Sequence, residues 1–189
     1  MPSPNENITE RIGELGRVVH ADERLERSLR RVAKTAIDVI NRCDAASVSM
    51  SKDGQVSTWV STHAAADRVD RHQYETDEGP CLHAIRSGQA NFVDSLSSEG
   101  RWPAFTPRAL AEGMVAVYSL PLKVDEATVG ALNLYSRAKP FAFPDLQVAE
   151  ALAAQAAVTL ENARAYQEAR ERVTELERAL ESREAAAED

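Results

Sequence analysis

The chain has little cysteine, no long apolar run and no export signal. Cys43 and Cys81 are its two cysteines in 189 residues. Their wide separation excludes a C-x-x-C motif and the disulfide framework of a small secreted protein. No stretch of 18 consecutive apolar residues occurs, and the N-terminus lacks the basic start and apolar run of a secretion signal. We therefore expect a cytoplasmic protein that does not associate with a membrane.

Positive charge is also scarce. The chain carries 22 basic and 30 acidic side chains, a net charge of −8, and residues 43–163 contain 9 basic and 15 acidic ones. Such an excess of carboxylates repels a phosphate backbone. We therefore expect no direct binding of nucleic acid by this chain.

Common catalytic and metal-binding motifs are missing as well. There is no G-x-S-x-G, no H-E-x-x-H and no phosphate-binding G-x4-G-K-[ST]. Cys81 and His83 are two positions apart in a predicted helix, so their side chains point about 200° apart and cannot chelate one ion. His20, His63 and His72 show no metal-ligand spacing. We predict no catalytic residue and no metal site.

Apolar residues recur at helical spacing near both ends of the chain. They predict one amphipathic helix over residues 22–42, with Asp22 as its N-cap, and a second helix from Pro144 to the end. Residues 152–163 of the second helix present small side chains that allow close helix packing. Tyr166, Ala169, Val173, Leu176 and Leu180 then follow the alternating spacing of a short coiled coil. A solvated helix that frays remains the alternative.

The central part of the chain has the pattern of strands. Residues 45–51 and 56–62 alternate in side-chain character around an Asp-Gly turn, which predicts a hairpin. Further strands are predicted at 90–94, 116–124 and 128–136, with helical segments only around 79–87 and 102–112. This order indicates an α+β fold with a mostly antiparallel sheet.

Four segments in this order resemble the GAF domain, in particular that of actinobacterial GAF–ANTAR antitermination regulators. They are YETDEGPCLHAIRSGQANFVDSL (74–96), RWPAFTPRALAEGMVAVYSLPL (101–122), VGALNLYSR (129–137) and AAQAAVTLENARAY (153–166). The resemblance implies a sensory domain over residues 22–163, a partly helical segment 1–21 before it, and a signalling or coiled-coil helix at 164–189. It also implies an RNA-binding ANTAR module as the output, which the sequence does not contain.

The resemblance further implies a central antiparallel sheet. The first and last helices are expected on one face, and a region that covers a ligand on the other. Many such domains form homodimers through the outer helices, which here points to Leu25, Leu29, Val32, Tyr166, Val173, Leu176 and Leu180. A small-molecule pocket of unknown cofactor identity is expected to be lined by Trp59, Cys81, Leu82, Ile85, Trp102, Phe105, Tyr118, Asn133 and Tyr135. A core filled by these same side chains is the alternative.

Cys81 raises the question of a redox input. Gly79 and Pro80 place it in the first turn of a helix, where the dipole favours a thiolate, whereas the neighbouring Asp77 and Glu78 favour the neutral thiol. Both an inert buried cysteine and a redox switch therefore remain open. One enzymatic GAF branch reduces free methionine sulfoxide with paired cysteines, and the separation of the two cysteines here argues against that activity.

Overall fold

A five-stranded antiparallel sheet forms the centre of the fold. This computed structural model describes residues 4–138 and 140–187, with side chains for 22–138, 140–142 and 144–183. The strand order is β2-β1-β5-β4-β3, and every neighbouring pair is antiparallel. The strands are β1 (Ala45–Lys52), β2 (Gln55–Ser61), β3 (Asn91–Val93), β4 (Ala116–Val124) and β5 (Ala127–Ser136). The predicted strands and the α+β class are confirmed.

Helices cover both faces of this sheet. Two long helices pack on one face, and three shorter helices cover the other. No helix in the described part of the chain is both long and apolar enough to traverse a bilayer. The long helices are α1 (Pro4–Val39) and α5 (Phe143–Ala187), and the covering helices are α2 (Ala64–Thr76), α3 (Pro80–Ser87) and α4 (Thr106–Ala111).

Two tight turns connect the paired strands. Asp53 and Gly54 join β1 to β2 and both have positive φ, of 52° and 77°. Such a pair of positive φ angles matches the twist of a two-residue hairpin turn, which confirms the predicted Asp-Gly turn. Asp125, with φ of 53°, begins the corresponding turn between β4 and β5.

Strand alternation directs apolar side chains to the face that carries α1 and α5. Val48, Leu132 and Leu134 point there and belong to the same apolar core, the helix-side core, as the small residues Ala153 and Ala156 of α5. Small side chains let the helix approach the sheet closely. The helix-side core is the larger of the two apolar clusters in the described residues.

Two residues assigned to a dimer interface lie inside this core instead. Leu29 is completely buried and Val32 is 7% exposed, because α1 turns both toward the sheet. They have almost no surface to offer a second copy, which corrects the expectation for these two positions. Leu25 is partly buried against the same core.

One helix boundary and one whole helix differ from the predictions. The first helix begins at Pro4 rather than at Asp22, since the apolar spacing of Ile8, Ile12, Leu15 and Val19 already continues the helical pattern upstream. The helix α2 was not predicted at all. Its apolar side is made mostly of alanines and carries buried polar residues, which hides the hydrophobic periodicity.

A glycine on the central strand tests the packing between β1 and β5. A Cβ on Gly130 would lie 2.9 Å from the Met50 sulfur and closer still to the Ser49 carbonyl oxygen. We expect Gly130→Ala to lower the free energy of unfolding by about 2–3 kcal/mol in urea titrations, because the backbone of β1 must move. Gly100→Ala, where no atom lies within 4 Å, is the control. Equal losses in both variants would contradict this account.

Candidate functional site

A cluster of polar side chains is buried between the sheet and the helices α2 and α3. Eight of its ten members are completely buried, an unusual density of polar groups for a protein interior. Such groups are stable there only when they bond to one another. The polar cluster consists of Ser47, Ser49, Thr58, Asp70, Gln73, Tyr74, Cys81, Ser119, Asn133 and Tyr135.

Strand alternation places five of these ten side chains on the same face of the sheet. Ser47 and Ser49 of β1 lie on the opposite face from Val48, and Asn133 and Tyr135 of β5 continue the row across the sheet. The Asn133 amide nitrogen donates to both serine hydroxyls, at 3.2 and 3.0 Å. Its amide oxygen accepts from Ser119 on β4, at 2.8 Å. Asn133 thereby connects the three central strands.

An irregularity in β2 brings Thr58 to the same face. Val48 pairs with Val60 and Ser49 pairs with Thr58, so that Trp59 is an extra residue in β2. Such a bulge reverses the alternation. Val60 therefore packs in the helix-side core, whereas Thr58 bonds to residues of the polar cluster.

Asp70 of α2 is the acceptor at the centre of the cluster. Its carboxylate accepts hydrogen bonds from Thr58 Oγ1 at 2.9 Å, from Asn133 Nδ2 at 3.4 Å and from the Tyr135 hydroxyl. Burial raises the pKa of Asp70 to about 6, although hydrogen bonds from Ser47, Tyr135 and Thr58 act in the opposite direction. No basic residue belongs to the polar cluster, so the charge of this carboxylate is stabilised by neutral donors alone.

Gln73 connects α2 to α3 and to β5. Its side-chain oxygen accepts from the backbone N–H of Cys81 at 2.8 Å, and its nitrogen donates to the Tyr135 hydroxyl at 3.3 Å. Gly79 is the N-cap of α3, with φ of 132°, and Pro80 follows it, as predicted. A Cβ at Gly79 would lie 2.6 Å from the Gln73 Cγ. Glycine is therefore required for this contact.

The thiol of Cys81 lies within the cluster and is fully buried. The Asn133 amide donates to its sulfur at 3.4 Å. Burial, with a further contribution from Asp70, raises the pKa of Cys81 to about 12. Cys43 lies in the helix-side core, on the other face of the sheet, and burial raises its pKa to about 12 as well. Burial therefore favours the neutral thiol over the thiolate at both positions.

The residues predicted to line a pocket do not all meet. Cys81, Asn133 and Tyr135 belong to the polar cluster, and Leu82 is buried in the same helix as Cys81, with Ile85 partly buried. Trp102 and Phe105 pack in the apolar cluster that surrounds Tyr135. The face of the sheet that α2, α3 and α4 cover therefore carries all seven of these residues, namely Cys81, Leu82, Ile85, Trp102, Phe105, Asn133 and Tyr135.

Trp59 and Tyr118 lie elsewhere, which corrects the expectation of a single pocket. Tyr118 packs in the helix-side core, where its hydroxyl donates to Glu150 of α5 at 3.3 Å. Trp59 also packs against that core and lines two surface grooves of about 420 and 970 Å³. Trp59 lies on this side of the sheet because the bulge in β2 reverses the alternation of its side chains. The alternation pattern of the sequence does not reveal a bulge.

Three central residues of the site were missed because α2 was missed. Asp70, Gln73 and Tyr74 all lie on this helix. The serines of β1 were recognised only as small alternating residues, a pattern that equally indicates a solvent-facing side. The spacing of Ala66, Val69 and Gln73 is the sequence signal that could have located the helix.

Comparisons with known proteins agree on one family. The model of the family described as GAF domain matches residues 22–161. No curated protein matches the chain.

Solved structures share the fold at low sequence identity. A type II free methionine-R-sulfoxide reductase from Thermoplasma acidophilum is 12% identical over 75% of this chain and 96% of that one, with a TM-score of 0.62. A GAF domain region from Geobacter sulfurreducens is 17% identical over 77% and 98%, with a TM-score of 0.66. The GAF domain of a Bacillus halodurans sensor histidine kinase is 15% identical over 71% and 94%, with a TM-score of 0.56. At these identities the similarity establishes the fold.

Asp70 is expected to make stability depend on pH. Its pKa is raised in the fold, from 3.8 to about 6, so the folded state holds the proton more tightly than the unfolded state. The associated stability is present below about pH 4 and is lost as the pH rises through 6, by up to roughly 3 kcal/mol. Asp70→Asn should remove this decline in urea titrations between pH 4 and 7.5, whereas Asp94→Asn, at an exposed site, should keep it. An unchanged decline in Asp70→Asn would contradict the assignment.

The buried thiols are expected to resist alkylation. At pH 8 a pKa near 12 leaves about a thousandfold less thiolate than the ordinary value of 9.0. Native protein treated with iodoacetamide should therefore remain unmodified at both cysteines for hours by mass spectrometry, and the urea-unfolded protein should be modified within minutes. Rapid labelling of Cys81 in the native state would instead indicate an accessible redox switch.

Proposed function

Because the chain belongs to the GAF family, we propose that it is a sensory domain without enzymatic activity. In this proposal it responds to a small molecule or to redox state beneath α3, and the terminal helices transmit the response. GAF domains are commonly sensory signalling domains, and the sensor-kinase domain named above has the same fold. The observation that carries the proposal is that β5 belongs to both the polar cluster and the helix-side core.

Adjacent residues of β5 face the two sides of the sheet. Asn133 and Tyr135 bond within the polar cluster, while Leu132 and Leu134 pack in the core that holds α5. A change in hydrogen bonding around Asn133 therefore acts on the strand next to β4, and β4 is the strand against which α5 packs. Because interiors are closely packed, a shift of β5 also displaces its neighbour β4, which pairs with it and carries α5.

The state of the cysteines supports a non-enzymatic role. A thiol-dependent reductase needs a thiolate and a second cysteine within reach. Here both thiols are buried with raised pKa values, and the sheet separates them. The fold that the chain shares with the Thermoplasma reductase is thus present without the arrangement that this chemistry requires.

A second function is favoured by the completeness of the polar cluster. Its members hydrogen-bond to one another, which supports a space beneath α2 and α3 that the chain's own side chains fill. In that case the domain is a constitutive pairing module, and its terminal helices hold partners together without a ligand.

The finer proposal concerns transcription. The four segments that resemble GAF–ANTAR regulators support a role in antitermination, in which α5 leads to an RNA-binding ANTAR module. The test is whether such a three-helix module is encoded in frame with this chain or beside it. A catalytic or unrelated output in that position would contradict the proposal.

Native and denaturing mass spectrometry of freshly purified, unreduced protein tests the sensory function. We expect a non-covalent mass increment in the native spectrum that is lost on denaturation. A native mass equal to that of the protein alone, under every expression condition tried, favours the constitutive pairing module. An increment that survives denaturation indicates modification at a cysteine.

Replacement of Cys81 separates the sensor from the reductase. Cys81→Ser should retain the non-covalent increment, because the serine hydroxyl accepts the same hydrogen bond from Asn133. With free methionine-R-sulfoxide and dithiothreitol, neither wild type nor variant should form methionine. Turnover by the wild type that Cys81→Ser abolishes would overturn the non-enzymatic assignment.

A further inference from the structure

An open groove lies where α5 leaves the domain, on the helix side of the sheet. It is the larger of the two grooves that Trp59 lines, with a volume of about 970 Å³. Three elements form it, namely α1, the β1–β2 hairpin and α5 from Thr159 to Arg178. That part of α5 is about 29 Å long. We call this site the α5 groove, and the residues that decide its chemistry are Leu25, Met50, Lys52, Trp59, Tyr166 and Arg170.

Part of the α5 groove is an open edge of the apolar core. Met50 and Leu160 belong to the helix-side core, and Leu25 and Trp59 pack against it. All four also line the groove, so the core meets solvent at this point. The volume and the apolar lining are those of a site that takes a small organic molecule.

The bulge in β2 supplies one of the two aromatic rings of the groove. As the extra residue between Thr58 and Val60, Trp59 lies on the helix side, where it remains partly exposed. Bulges often redirect a side chain toward a binding site. The second ring belongs to Tyr166 of α5, which is 53% exposed. Both rings combine a large apolar surface with a polar tip.

The α5 groove is basic, although the chain as a whole is acidic. Among the described residues its lining carries five basic and three acidic side chains, whereas the whole chain carries 22 and 30. Two of the acidic ones, Glu171 and Glu175, lie on α5 beyond the apolar residues of the groove. A concave surface with an excess of one charge attracts ligands of the opposite charge. The basic residues are Arg24, Lys52, Arg164, Arg170 and Arg178.

Arg170 and Lys52 are the cations best placed to hold an anionic group. The Arg170 guanidinium lies 5.9 Å from the centre of the Tyr166 ring, which orients it without neutralising its charge. Lys52 ends β1 and forms no ion pair within the part of the chain that the structure describes. Arg164, by contrast, is already paired with Asp125 at 2.6 Å.

We propose that the α5 groove binds an amphiphilic anion, a small molecule that joins an apolar chain or ring system to a carboxylate or phosphate group. Its apolar part packs on Leu25, Met50 and Trp59, and its anionic group pairs with Lys52 and Arg170. This site is separate from the one proposed beneath α3, because it lies on the other face of the sheet. A ligand there contacts α1, the hairpin and α5 together, so it stabilises α5 at the point where the helix leaves the domain.

Titration with dodecanoate, below its micellar concentration, tests the proposal. Dodecyltrimethylammonium is the matched control, since it joins the same alkyl chain to the opposite charge. We expect one dodecanoate to bind per chain and to shift the emission of Trp59 to shorter wavelength, because the alkyl chain displaces water from the indole. Trp102 is 6% exposed and packs on the other face of the sheet, so its emission should not change.

The two amphiphiles should differ in affinity. Dodecyltrimethylammonium should bind about tenfold more weakly than dodecanoate, because it meets the basic residues of the groove with a like charge. Equal affinities would overturn the assignment of an anionic ligand. A chain that does not bind dodecanoate at all would overturn the site.

Substitutions on α5 locate the bound anion. Arg170→Ala and Tyr166→Ala should each weaken dodecanoate binding about tenfold, since the first removes the cation and the second removes the ring that orients it. Both positions follow Leu160, the last α5 residue in the core, so the urea midpoint should not change. Arg172→Ala, exposed but outside the groove, should bind as the wild type does. Unchanged affinity in either groove variant, or an equal loss in Arg172→Ala, contradicts the proposal.

An anionic lipid surface would present the same chemistry as a free amphiphile. The concave shape of the groove favours the free molecule. Wild-type protein should therefore stay in the supernatant when phosphatidylglycerol vesicles are sedimented, at a concentration at which it binds dodecanoate. Sedimentation with the vesicles that Arg170→Ala abolishes would identify a membrane lipid as the source and overturn the free ligand.

The groove and the sensory site beneath α3 can fail separately. A protein that carries the non-covalent mass increment but does not bind dodecanoate overturns the α5 groove and leaves the sensory function standing. Dodecanoate binding by a protein whose native mass equals that of the chain alone supports the groove. A mass increment that Arg170→Ala removes comes from a molecule bound in the groove, and it also supports the proposal.

Discussion

The carboxyl group of Asp70 is the constraint on which the covered half of the domain depends. It accepts hydrogen bonds from β2 and β5 while being carried by α2. A buried carboxyl group without a basic partner is costly. The carboxylate therefore depends on the hydroxyl groups of Thr58 and Tyr135 and on the amide of Asn133. The placement of Thr58 by the bulge and of Asn133 by strand alternation follows from this requirement.

The two faces of the sheet are consequently stabilised by different kinds of interaction. The helix-side face is apolar and packs by shape, with alanines of α5 against valine and leucine side chains of the strands. The covered face is organised by directional hydrogen bonds, which tolerate few substitutions without leaving a buried group unsatisfied. A protein that must respond at one face and transmit at the other benefits from this division, because hydrogen bonds can exchange partners while the apolar core remains intact.

Much of the fold was predictable from the sequence, whereas the site was predictable only in part. The hairpin turns and the long strands follow from local chemistry, such as the positive φ that Asp53 and Gly54 both accept. The site depends on α2, whose apolar side is interrupted by Asp70 and Gln73 because these residues turn inward. A search for apolar periodicity counts every carboxylate as a surface residue, including one that points into the core. Leu29 shows the converse, since an apolar helical residue has the same pattern whether it faces a core or a partner.

The length of α5 has a mechanical consequence. The helix continues for 27 residues beyond Leu160, its last residue in the helix-side core, which corresponds to about 40 Å. A rigid rod of that length multiplies angular change, so a tilt of about 5° at its base displaces its far end by roughly 3–4 Å. Rearrangements too small to alter the shape of the domain therefore become displacements as large as a hydrogen bond at the tip.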